Sequence, residues 1–220
     1  SFAGPFLTAG TSFALAAFYK DVTYFSSTLE VGAQKQIILE VYEPTSSDSE
    51  IRIGSHHVFL VMEEGTIEVV HLTQIHNGQE QAYTGSGQGG ERHVTEFQLP
   101  NGIFNLQSHS GHMDQADATT FFDNQPLLPG YSQLSFSFNI DPEQLEDGYL
   151  HHVVYPTDRF ELFVQPSTRE IGAPFEDIGV VDLHGRQYRR WQLTDLQAGQ
   201  QVNISLPLAA PLRWVLKWTA

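Results

Sequence analysis

The stretch SHSGHMD, residues 108–114, puts His109, His112, Met113 and Asp114 within six positions. Imidazole and thioether are ligands that suit copper, and imidazole also suits zinc. His-x-x-His brings both rings to one ion only where the backbone turns, and Gly111 permits a turn. Asp114 stands where it could orient an imidazole from behind. Against this chemistry stands the ligand count. A closed zinc site takes four ligands, and His109, His112 and Met113 make three. The Ser-, Gln-, Asp- and Asn-rich surroundings also read as an exposed connection.

A second pair depends on strand register. HHVFLVME (56–63) and TIEVVHLTQI (66–75) read as two strands of a hairpin. With a loop of Glu63-Glu64-Gly65, His57 faces His71, and opposed side chains are close enough to share a metal. With a loop of Glu64-Gly65 alone, the register moves by one and His57 faces Leu72. Adjacent strand residues point to opposite faces, so neither His56-His57 nor His151-His152 can chelate one ion through both rings. Calcium has a candidate set in Asp114, Asp117, Asp123 and Asn124, but the spacing of an EF-hand is missing.

Other chemistries have less support. No G-x-S-x-G is present, since GTSFA (10–14) and GSGQGG (85–90) both fail it. GSGQGG also lacks the lysine of a phosphate loop and reads as a flexible connection. With 26 acidic residues, some pair will fall at glycosidase spacing by chance, so such a pair discriminates nothing. The expectation is a protein that is not an enzyme. Tyr131, Tyr149, Tyr155, Tyr188 and Trp191 are available for a carbohydrate-binding face, although the alternation in YRRWQL (188–193) sends part of that set to a core.

The elements that must position these groups are strands. In SQLSFSFNI (132–140), Leu134, Phe136, Phe138 and Ile140 share one face. In QVNISLPL (201–208), Val202, Ile204, Leu206 and Leu208 do the same. KQIILEVYE (35–43) and RFELFVQP (159–166) also read as strands. PEQLEDG (142–148) is expected to make one short helical turn. Turn chemistry recurs between strands, as in Asn77-Gly78, Pro129-Gly130 and Asp147-Gly148. The pattern predicts an all-β fold with little helix, built as two consecutive β-sandwich modules. The prolines and glycine of DNQPLLPG place the division at 125/126. The second module would run over 126–208, and 209–220 would form a tail.

The 220 residues carry 26 acidic and 11 basic side chains, a net charge of −15. Such a field repels phosphate backbones, so no nucleic-acid partner is expected. Cysteine is absent, which excludes disulfides, thiolate nucleophiles and cysteine-ligated metals. Trp214 and Trp218 alternate with Arg213 and Lys217, the composition of a membrane-interface flank.

Several fragments in order carry a resemblance: FYKDVTYFSSTLEV (18–31), ILEVYEPTSSD (38–48), HNGQEQAYTG (76–85), LPNGIFNL (99–106), QPLLPGYSQLSFSFNI (125–140), LHHVVYPTDRFELFV (150–164) and LQAGQQVNISL (196–206). Together they resemble a poorly characterised set of bacterial extracytoplasmic, membrane-anchored proteins with an immunoglobulin-like, carboxypeptidase-regulatory-like module. The resemblance spans most of the chain and does not include HSGHMD. It implies a periplasmic or cell-surface location, with residues 1–46 as the end of a preceding module and a membrane tether beyond Ala220. It implies no catalytic residues. Partners would be other envelope proteins, or further copies joined through edge strands.

Overall fold

The structure is a computed structural model that describes residues 8–32, 37–63, 65–87, 92–145, 148–165, 171 and 174–205. Its strands are β1 (Ser12–Phe13), β2 (Ala16–Tyr19), β3 (Val22–Phe25), β4 (Leu29–Glu30), β5 (Pro44–Thr45), β6 (Ile51–Glu63), β7 (Thr66–Asn77), β8 (Ala82–Tyr83) and β9 (Thr95–Gln98). They continue with β10 (Phe104–Ser110), β11 (Asp114–Gln115), β12 (Thr120–Asp123), β13 (Gly130–Ile140), β14 (Tyr149–His152), β15 (Thr157–Gln165), β16 (Glu176–Leu183), β17 (Arg186–Leu196) and β18 (Gln201–Ile204). The fold is all-β, with one 3-10 turn, Pro142–Leu145, among the described residues. Among the described residues no helix is long and apolar enough to cross a membrane.

Seven strands form the main sheet in the order β10-β13-β7-β6-β15-β17-β16. Smaller sheets, β11-β12-β9 and β14-β18, lie over it. One apolar cluster fills the space between. The main sheet contributes Val58, Leu60, Val69, Phe136, Phe138, Leu162 and Trp191, and the covering strands contribute Phe97, Phe121, Tyr149, Val202 and Ile204. The alternation read from 132–140 is realised, because Leu134, Phe136, Phe138 and Ile140 are all buried. Val202 and Ile204 are buried likewise, while Leu206 and Leu208 lie outside the described residues.

Two expectations change. The division at 125/126 falls between β12 and β13, yet the main sheet runs through it. β13 pairs with β7 over its whole length, from Gly130↔Asn77 to Ile140↔Ile67. β15 then pairs in parallel with β6. Strands from both sides of residue 125 thus share one sheet and one core. Second, the described part of KQIILEVYE is not a strand. Ile38 is 78% exposed. This segment is tied by a side chain instead, since the Tyr24 hydroxyl donates to the Tyr42 carbonyl at 2.7 Å and lies 3.2 Å from its amide.

The β6–β7 hairpin decides which histidines turn inward. Glu63 pairs with Thr66, so the loop is Glu64-Gly65 and His57 faces Leu72. Further along, the register slips between Ile53 and Ser55, a bulge at Gly54. A bulge adds one residue to one strand and reverses which parity faces in. Before it, Ile51 and Ile53 are buried; after it, His56, Val58 and Leu60 are.

Candidate functional site

The bulge delivers His56 to the core beside His71 of β7. His56 Nε2 and His71 Nδ1 are 2.9 Å apart. The Tyr149 hydroxyl, from β14, lies 3.1 Å from His71 Nε2. His151, two residues on and on the same face of β14, packs edge-on against His56 with ring centroids 5.0 Å apart. All four side chains are 0–5% exposed. Aromatic rings enclose them. Phe136 stacks on His71 at 4.6 Å, and Phe160 lies 4.6 Å from His151 and 5.5 Å from His56.

Burial in this apolar setting disfavours the imidazolium form. His56 and His71 are held well below the ordinary histidine range, first by desolvation and then by the neighbouring histidines. His151 is lowered to about 3, chiefly by desolvation. Desolvation pushes the Tyr149 hydroxyl upward, so it stays protonated. Neutrality fixes how hydrogen bonds run through the chain. Tyr149 O–H donates to His71 Nε2, His71 Nδ1–H donates to His56 Nε2, and His56 then carries its proton on Nδ1. The opposite polarity would orphan the Tyr149 proton as well as the His56 Nδ1 lone pair, a greater cost. His56 Nδ1 has no protein partner. A void of about 10 Å³ adjoins His56, lined also by Glu96, His151, His152 and Thr157. The arrangement orders protons internally and locks β14 to the main sheet. Tyr149→Phe removes the donor to His71, and a drop of about 1–3 kcal/mol in unfolding free energy is expected. Urea titration of the variant beside the parent measures it.

The expected His57–His71 pair is corrected by this geometry. The two residues occupy opposite faces of the hairpin, because the register opposes His57 to Leu72 and the pleat alternates. His57 instead joins an ionic cluster on the outer face, where its Nε2 lies 3.1 Å from the buried Glu161 carboxylate. Arg190 donates to the same carboxylate, and Arg159 Nε lies 3.5 Å away. Desolvation lowers the His57 pKa, and the two arginines add to that while Glu161 opposes it.

His109, His112 and Met113 do not converge, although Asp114 does stand beside the His112 ring. His109, on β10, reaches across to the Ser137 hydroxyl at 2.9 Å. His112 Nε2 lies 3.2 Å from Asp114 Oδ1, and Met113 packs against the main core. Of the calcium set, Asp114 and Asn124 meet, with Asn124 Nδ2 donating to Asp114 Oδ2 at 3.4 Å, while Asp117 and Asp123 are engaged by backbone amides. Asp117 accepts from the Thr119 and Thr120 amides, and those bonds hold it at about 2. Asp123 accepts from the Gln125 amide at 2.9 Å. Among the described residues, no three His, Asp or Glu side chains come together in a group that could hold a metal ion.

Of the aromatics considered for a carbohydrate face, Tyr149, Tyr155, Tyr188 and Trp191 are buried. Tyr131 is 70% exposed and packs against His76 at 4.6 Å. Trp214 and Trp218 lie outside the described residues. Sequence reasoning missed His56 and His151 as partners of His71. The available signal was HH twice in the chain, which guarantees that one histidine of each pair faces inward wherever both strands are half-buried.

No family model and no curated protein matches this chain. Among solved structures, a zinc metallopeptidase from Deinococcus radiodurans is similar over 65% of this chain and 39% of that one, at 12% identity and a TM-score of 0.40. Leukotriene A4 hydrolase from Saccharomyces cerevisiae is similar over 74% of this chain and 30% of its own, at 10% identity and 0.41. A suspected protease from Parabacteroides distasonis gives 69%, 37%, 14% and 0.38. This chain thus spans well under half of each of them, and likeness of that degree carries no argument for an activity.

Proposed function

We propose that this protein is a non-enzymatic, extracytoplasmic structural or binding ectodomain that joins an envelope assembly by strand pairing. The observation that carries the reading is the edge strand β16. It ends the main sheet and is bonded only to β17 among the described residues. It has no lysine and no proline, two of the devices that usually blunt an edge. Val180 is 56% exposed on it, beside the partly exposed Ile178. On the outer face, the apolar cluster of Val61, Phe163 and Tyr188 continues through Val181 and Leu183 to this edge. An added strand would extend that cluster.

Charge selects the partner. Glu176, Asp177 and Asp182 lie on β16. Antiparallel self-pairing centred on Gly179 would set Glu176 against Asp182. Like charges directly opposed destabilise a pair, so a heterologous strand bearing Lys or Arg fits better than a second copy. The immunoglobulin-like character of the sandwich and the extracytoplasmic location rest on the resemblance of the ordered fragments. A photo-cross-linking amino acid placed at Val180 in the native cell is expected to give one discrete adduct with an envelope protein. The same group at Gln133, on the interior strand β13, is expected to give none. Absence of an adduct at Val180 would overturn the reading.

A further inference from the structure

The β2–β3 hairpin turns on Lys20-Asp21, with Tyr19 paired to Val22. Both turn residues are left-handed, at φ 45° and 64°. A two-residue turn of that shape normally uses Asn-Gly, because glycine bears no Cβ penalty there. Both side chains line one cleft of about 910 Å³, together with Phe18, Pro44, Thr45, Ser46, Thr84 and Arg92. That volume is typical of small-ligand sites.

The lining narrows the ligand. Phe18 is 72% exposed, an open aromatic face at the cleft wall. Only Phe18 and Pro44 lack a hydrogen-bonding side chain, so a ligand that fills the cleft meets six polar or charged side chains beside one exposed ring. Each cation is already engaged. Lys20 Nζ donates to Glu43, and Arg92 Nη1 donates to the Asp21 carbonyl at 2.9 Å, with Nη2 3.9 Å from Asp21 Oδ2. An anion would have to displace a carboxylate in a chain of net charge −15. What remains is an aromatic platform ringed by hydroxyls, a carboxylate and held guanidinium and ammonium groups. A pyranose presents the complement, with one face of C–H bonds and a rim of vicinal hydroxyls.

We propose that this cleft binds a neutral saccharide, with one sugar ring stacked on Phe18 and its hydroxyls bonded to Asp21 and the Thr45-Ser46 segment. This site is remote in sequence from β16 and does not depend on strand pairing.

The test uses cellotriose, maltotriose, mannotriose and N,N′-diacetylchitobiose as probes, with trigalacturonate as the anionic arm. Binding to the full chain is followed by calorimetry and by amide chemical shifts. At least one neutral probe is expected to bind and to shift the amides of Phe18, Lys20, Asp21, Thr45 and Arg92. Phe18→Ala is expected to weaken it by about tenfold or more. Asp21→Asn, which suits the same turn, is expected to weaken it less. Phe25→Ala removes an exposed ring from the same hairpin face but outside the cleft lining, and is expected to leave affinity unchanged. Thermal denaturation of each variant checks that the fold is kept. The proposal is overturned if no neutral probe binds, if trigalacturonate alone binds, if the shifts fall elsewhere, or if folded Phe18→Ala binds as tightly as the parent.

Discussion

Acidification from about pH 7.5 to about pH 5 is expected to destabilise this protein, by about 2 kcal/mol through His151 and further through its histidine neighbours. The cause is the core cluster of His56, His71 and His151. Each is neutral when folded, with its pKa pushed down by desolvation. In the unfolded chain each returns to about 6.5. Below that pH the unfolded state binds more protons than the folded one, so stability falls as pH falls. The loss begins near pH 6.5. For His151 it continues down to about 3. His151 contributes about 2 kcal/mol at pH 5, and His56 and His71 add losses of the same sign.

Other groups modify this profile without reversing its sign. His57 is lowered by its burial as well and adds to the loss. The raised carboxyl of Asp123 acts the other way, because its folded form takes a proton earlier than the unfolded one. Glu96 borders the void beside His56 and His151 and is the carboxylate placed to receive part of an emerging imidazolium charge. Urea titrations at several pH values, followed by the fluorescence of buried Trp191, measure the slope. His151→Phe should make the slope shallower, since one of three buried imidazoles is gone. A midpoint that stays constant between pH 7.5 and 5 would show that the cluster is not neutral in the folded protein.

Gly85→Ala is expected to lose about 3 kcal/mol or more. Gly85 has φ of +69°, where alanine is strained, and its neighbour leaves no room. An added Cβ would stand 1.9 Å from the His93 carbonyl oxygen and 2.7 Å from Val94 Cα. Both contacts are backbone, so no side chain can swing away. His93 is bonded to Ser86 in both directions, at 3.1 and 2.9 Å. Val94 is fully buried, and its carbonyl accepts from the Tyr155 hydroxyl at 3.1 Å. Displacing this backbone therefore reaches the core. Gly65→Ala is the control. Its φ is +82°, but nothing lies within 4 Å of the added carbon. Only the conformational cost applies there, about 1 kcal/mol. Equal midpoints for the two variants in thermal unfolding would refute the clash.

The contrast between the two glycines shows why GSGQGG read only as a flexible connection. The pattern of residues signals a turn. It carries no information about a carbonyl eight residues away.

The same limit runs through the fold. Strict alternation in 132–140 determined a strand and its buried face, because one half-buried sheet surface imposes period two on any local segment. A hairpin between 56–63 and 66–75 was legible for the same local reason, and so was the all-β class, but the loop length and register came only with the structure. Three further matters were settled only by the tertiary structure. The bulge at Gly54 reversed the parity of β6 and sent His56 inward in place of His57. The parallel pairing of β15 with β6 joins residues about a hundred positions apart, which no window of sequence contains. And β14 carried Tyr149 and His151 onto the histidines of the main sheet. Residue types and local spacing set which side chains alternate. Register and sheet order set which of them meet, because those are chosen by the free energy of the whole core rather than by any one segment.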